Sequence, residues 1–141
     1  MTAFGAISST TDMMTNADGF VQDMGVLSRT GSIDLKVATT TNLYTVPTAR
    51  VAIVTDIVFR VTAATAFTVA PTLGVGVAAG EADIMGSTVL TGFTVLGGLF
   101  RYSCEGFYVS VAAASVIKLG IDVGATATTA TGEVTVLGFL I

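Results

Sequence analysis

The sequence predicts an all-β protein, an antiparallel β-sandwich or barrel of short strands that follows an extended N-terminal arm. Three observations support this fold class. Apolar and polar residues alternate with a period of two in segments rich in Val, Ile, Thr and Phe, as they do in half-buried strands. Short turns of small residues separate these segments at close intervals. No strand–helix–strand rhythm is present, and no apolar stripe with helical spacing exceeds two turns.

The predicted arm comprises residues 1–32. It contains a small, polar and turn-prone run over residues 8–19 and four of the chain's five methionines. Its apolar side chains are sparse. Because such an arm becomes ordered by docking on another surface, we expect it to bind partner subunits through Phe4, Ile7, Met13, Met14, Phe20, Met24 and Leu27.

The sandwich domain is predicted to occupy residues 33–141. Its strands are expected, in order, at residues 33–37, 42–46, 50–62, 65–69, 73–78, 89–96, 99–104, 107–112, 116–123 and 133–141. The connecting turns contain Pro47, Gly80, the Gly97-Gly98 pair and Gly106, and an Ala/Thr/Gly run precedes the last strand.

The longest predicted strand shows the alternation most clearly. One face carries Val51, Ile53, Thr55, Ile57, Phe59 and Val61, and the other carries Ala52, Val54, Asp56, Val58 and Arg60. Both charges fall on the second face, so the first face is expected to be buried.

Two later strands repeat the pattern. Ile117, Leu119, Ile121 and Val123 oppose Lys118 and Asp122, and Val134, Val136 and Leu140 oppose Glu133 and Thr135. Two segments, 89–96 and 137–141, are apolar on both faces, which indicates burial between sheets or under a neighbouring subunit. The expected interface residues of the sandwich are Phe93, Leu96, Phe100, Phe139 and Ile141.

Charge is scarce along the whole chain. Only 16 of 141 residues are Lys, Arg, Asp or Glu, and 52% are hydrophobic, whereas soluble surfaces carry roughly a quarter to a third charged residues. Lipid or protein should therefore cover much of the surface. Residues 61–80 are uncharged and long enough for a helical span, but several Thr and Gly residues and Pro71 interrupt them, and no basic cluster flanks them. Protein is the expected cover, and no membrane partner is predicted.

The residue types that most catalytic sites need are missing. The chain has no histidine, which excludes Ser-His-Asp and Cys-His pairs and histidine metal sites. Cys104 is the only cysteine, so neither an intrachain disulfide nor a thiolate zinc cluster can form, and we expect a buried, inert thiol. The protein is not expected to be an enzyme, and no cofactor, catalytic residue or metal ligand is predicted.

Two short motifs are candidate binding or catalytic sites. Glu81 and Asp83 are paired carboxylates of the kind that binds calcium or serves glycoside chemistry, but no Asp-rich loop surrounds them, and a solvated loop is expected. Gly74-Val75-Gly76 lacks the third glycine and the helix of a dinucleotide loop, and it indicates close-packed backbone instead. The cations are scattered singly and the net charge is -4, so no nucleic-acid partner is expected.

Three segments have a recurring strand-and-turn pattern: Asn42-Leu-Tyr-Thr-Val-Pro47 with the strand over residues 50–62, the run over residues 117–124, and the closing Gly-Glu-Val-Thr-Val-Leu-Gly-Phe. In these segments the chain resembles small virion proteins of tailed bacteriophages. The resemblance covers roughly residues 37–139. It implies a jelly-roll-like sandwich and places the chain among head decoration (cement) proteins and tail or fibre modules, neither of which supplies catalytic residues.

The leading hypothesis is a capsid decoration protein, a homotrimer on the virion surface whose arm reaches adjacent major capsid subunits. No secretory signal is visible, so synthesis in the host cytoplasm is expected. The alternatives are a receptor-binding tail-fibre module that recognises a glycan through Tyr44, Tyr102 or Tyr108, a small shell-forming capsid subunit, and a holin-like membrane protein.

Overall fold

In a computed structural model, the described residues are 25–78, 81–91, 95–104 and 109–141. These ranges form nine strands and no helix, so they contain no helix long and apolar enough to cross a membrane. The strands are β1 (Ser28–Asp34), β2 (Thr40–Thr45), β3 (Ala52–Ala64), β4 (Thr72–Gly76), β5 (Met85–Val89), β6 (Leu99–Ser103), β7 (Val109–Val111), β8 (Val116–Val123) and β9 (Ala130–Leu140).

Most of the predicted arm lies outside the described residues. The predicted interface and glycan-binding residues that lie outside them are Phe4, Ile7, Met13, Met14, Phe20, Met24, Phe93 and Tyr108. Residues 28–32 were also assigned to the arm, but they belong to β1 and pair along β9. The docking of the arm on partner subunits stays a prediction.

The strands pair as a nested set of antiparallel partners. β4 pairs with β5, β3 with β6 and β7, β2 with β8, and β1 with β9. Successive pairs alternate between two sheets. Sheet 1 has the order β1-β9-β3-β6, with β7 also paired to β3, and sheet 2 has the order β2-β8-β4-β5. The chain therefore changes sheets at most of its connections.

The two sheets pack face to face around one apolar core, which confirms the predicted antiparallel β-sandwich. Sheet 1 and sheet 2 both contribute side chains that are fully buried. The largest of these are Val54, Ile57, Val134 and Val136 from sheet 1 and Leu73, Val75, Met85, Ile117 and Leu119 from sheet 2. Each such aliphatic side chain stabilises the fold by about 1.5–3 kcal/mol relative to its exposed state.

β3 departs from the predicted alternation at Thr55. The pairing of β3 with β9 shifts there, so that Thr55 is an extra residue in a β-bulge. The buried side chains are Ala52 and Val54 before the bulge and Ile57, Phe59 and Val61 after it. The prediction of one buried face along the whole strand is therefore wrong for the first half, because one extra residue moves every later side chain to the opposite face.

Two other predicted strands differ from the structure. Residues 65–69 are not a strand but a loop that runs along residues 126–129, with the Thr65 N–H donating to Thr129 O at 2.9 Å and a single bridge between Val69 and Thr126. The strand predicted over residues 89–96 is also wrong, because β5 ends at Val89 and residues 95–98 form a turn. In residues 65–69 the apolar side chains alternate as in a strand, although the backbone pairs with residues 126–129 outside a continuous ladder.

Candidate interaction surfaces

The outer face of sheet 1, turned away from sheet 2, carries three of the chain's six cations. We call it the arginine face. The strand register assigns to it Arg29, Asp34, Ile53, Asp56, Val58, Arg60, Leu99, Arg101, Ser103, Thr131, Glu133, Thr135, Leu137 and Phe139. Arg29, Thr135, Val58 and Arg101 are successive partners in one row across four strands. Since neighbouring strands lie about 4.8 Å apart, the row spans about 14 Å.

Two carboxylates of the arginine face lie beneath exposed guanidinium groups. The Arg101 Nε–H donates to Asp56 Oδ1 at 2.9 Å, and Arg101 Nη2 lies 2.9 Å from the same oxygen in an ion pair. Burial alone would raise the pKa of Asp56, but the side-chain hydrogen bonds from Arg101 and two neighbouring residues, with the charge of Arg101, hold it below its ordinary 3.8. Arg60 and Glu133 form a looser ion pair at 3.6 Å. Asp56 and Glu133 are thus mostly covered while their cations face outward, whereas Asp34 on the same face is exposed.

Apolar side chains lie among these arginines. Phe139 is 43% exposed and Leu99 is 55% exposed, while Ile53, Val58 and Leu137 are half-buried. Arginine beside aromatic and aliphatic side chains is the composition enriched at the centres of protein interfaces. The arginine face is therefore a candidate binding surface for another polypeptide.

A turn at one end of the arginine face is apolar and held in place. Leu96 is 70% exposed and Val95 is 61% exposed. The Gly97 N–H donates to Val61 O at 2.8 Å, and the Val61 N–H donates to Gly98 O at 2.9 Å. Gly97 has φ +78°, a conformation that glycine adopts without strain. The turn is therefore tied to β3 while its two large side chains face outward.

The outer face of sheet 2 differs, because glycines form it and a segment of the chain covers it. We call Gly74, Gly76 and Gly120 the glycine face and residues 81–84 the strap. A Cβ on Gly74 would lie 2.6 Å from Glu81 O, and one on Gly120 would lie 3.0 Å from the Glu81 side chain. The strap therefore lies directly on the sheet. This confirms the close-packed backbone predicted for Gly74-Val75-Gly76.

Asp83 anchors the strap to the end of β4. The Val77 and Ala78 N–H groups donate to Asp83 Oδ1 at 2.7 and 3.3 Å, and the Ile84 N–H donates to Val75 O at 2.9 Å. Asp83 is exposed, as the expected loop requires, but its carboxylate has a structural role that the sequence did not indicate. Within the described ranges, no group of three potential metal ligands occurs.

Sheet 2 also carries two exposed valines, Val89 and Val123, and a third, Val37, is exposed in the loop after β1. Val89 and Val123 both pair with Thr72, so one strand separates them. The backbone at Val37 lies against Gly124, where a Cβ would come within 3.3 Å of the Val37 nitrogen. The sequence assigned Val123 to a buried face and missed this surface, because the shift in pairing between β4 and β8 beside Thr72 cannot be read from alternation alone.

The structure separates the interface residues predicted for the sandwich. Leu96, Phe139 and Ile141 are exposed. Phe100 is half-buried and points into the sandwich, where its ring lies 6.0 Å from that of Phe59. Leu27, predicted for the arm, packs against the core, and its N–H donates to Val136 O at 2.8 Å.

The remaining candidate groups are enclosed. Cys104 is buried, and burial together with the negative charge of Asp56 raises the pKa of its thiol, which favours the inert state. Burial also raises the pKa of Tyr44, and both Tyr44 and Tyr102 pack against the core. A cavity near Leu35 and Leu90 has a volume of about 10 Å³, room for a single water.

No protein-family model matches the chain, and neither the curated proteins nor the solved structures compared with it include a match.

Proposed function

We propose that this protein is a structural component of a tailed-bacteriophage virion. It is a head decoration or cement protein that forms homotrimers on the capsid surface and bridges major capsid subunits. We further infer that its sandwich is a jelly roll. The support for the fold is the nested strand pairing, in which successive pairs alternate between two sheets, because this is how two interleaved Greek keys are built. Jelly rolls recur in viral capsid proteins.

The observation that carries the functional proposal is the apolar surface left outside the core. Nine large apolar side chains of the described residues are exposed: Val37, Val69, Val89, Val95, Leu96, Leu99, Val123, Phe139 and Ile141. Val95 and Leu96 share one turn, and Val89 and Val123 flank Thr72; neighbouring exposed apolar side chains of this kind mark interaction sites. A protein that spends its working life in an assembly covers such surface with its partners.

Cementing follows from burial of this surface. A standard interface buries about 800 Å² per partner. If half of the area buried on the two partners together is apolar, its burial contributes about 20 kcal/mol to the free energy of binding, before the costs of ordering and association are subtracted. When a decoration protein spans two capsid subunits, those subunits cannot separate without exposing this buried area to water. The capsid then resists heat and internal pressure.

The test is gene deletion in the virus that encodes the protein. We expect immunogold labelling on heads, and we expect heads without the protein to lose their genome at a lower temperature, with restoration by added purified protein. Leu96→Asp should weaken rebinding, because it places a charge on the exposed turn. Ala113→Asp changes an exposed turn residue elsewhere and should rebind normally. Labelling confined to tails, or unchanged heat resistance, would contradict the proposal and favour the tail-fibre alternative.

The strand order also favours one alternative, a small shell-forming capsid subunit, because jelly rolls build shells themselves. Expression of the protein alone separates the two functions. Closed shells visible by electron microscopy would support the shell subunit, whereas a discrete small oligomer that binds only to preformed capsids would support decoration.

A further inference from the structure

We draw no further inference here: the strongest candidate, the surface patch at the β6 edge of sheet 1 where Val95, Leu96 and Leu99 are exposed, carries none, because nothing in the described residues shows what covers it.

Discussion

The outer faces of the two sheets use different means to cover a flat β-surface. On sheet 2 the glycine face has no side chains, so the backbone of the strap reaches the sheet and its own chain covers it. On sheet 1 the arginine face has long side chains, whose cations stand above covered carboxylates beside exposed apolar groups. Glycines let a segment of the same chain lie directly on sheet 2, whereas the side chains of the arginine face leave the outside of sheet 1 open to solvent.

The largest expected effect comes from filling the glycine face. Gly76→Val should destabilise the protein by about 3 kcal/mol or more, because its Cβ would overlap the Asp83 carboxylate and lie 2.8 Å from Ala82 N. Chemical denaturation measures the loss. Gly86→Ala is the control on the same sheet, since nothing lies within 4 Å of its Cβ position, and it should cost no more than about 1 kcal/mol. Equal losses for both would show that the strap does not press on the sheet.

The second-largest expected effect comes from removing the arginines that pair with the carboxylates of the arginine face. Arg101→Ala should cost about 1–3 kcal/mol, because Asp56 would keep its charge while losing its principal hydrogen-bond donor. Arg60→Ala should cost less than about 1 kcal/mol, because its pair with Glu133 is longer, at 3.6 Å, and the Glu133 carboxylate is less buried than that of Asp56. The two unfolding curves provide the comparison, and a larger loss for Arg60→Ala would reverse the order proposed for the two ion pairs.

Asp83, which anchors the strap, should contribute about 1 kcal/mol to the free energy of unfolding. Asp83→Ala removes the acceptor of the Val77 and Ala78 N–H groups, and a typical hydrogen bond of this kind contributes about that much. Hydrogen exchange should accelerate at Val77 and at Ile84, which is bonded to β4, but not at Leu119 in the core. Uniform acceleration throughout the sandwich would mean that the strap does not open separately.

The smallest effect is a pH dependence confined to the arginine face. The pKa of Asp56 in the folded protein is lower than its ordinary 3.8, so its contribution is fully present above that value and is lost as the pH falls through the folded pKa. The free energy of unfolding should therefore decline below pH 3.8. Asp56→Asn cannot titrate, and its decline should be shallower. Parallel declines in the two proteins would remove Asp56 from the acid response.

The sequence predicted the strands best where one side of the sheet is buried. β8 begins and ends at the predicted residues, because Ile117, Leu119 and Ile121 alternate with Lys118 and Asp122. The close backbone packing at Gly74 and Gly76 was also predicted, since two glycines in a strand leave room for a covering segment. The arginine face was not predicted as a unit, because its three arginines come from three strands that only the pairing brings together.

Composition and alternation were sufficient for the fold class and for the lack of histidine chemistry. Tertiary structure decided which side of β3 is buried in each half of the strand. The bulge at Thr55 reverses the faces of β3. The sequence does not reveal this bulge, because the alternation of the side chains is the same whether or not the ladder skips a residue. Tertiary structure also decided that Arg29, Arg60 and Arg101 share one face, because pairing between strands distant in the chain depends on the packing of the whole sandwich rather than on local sequence.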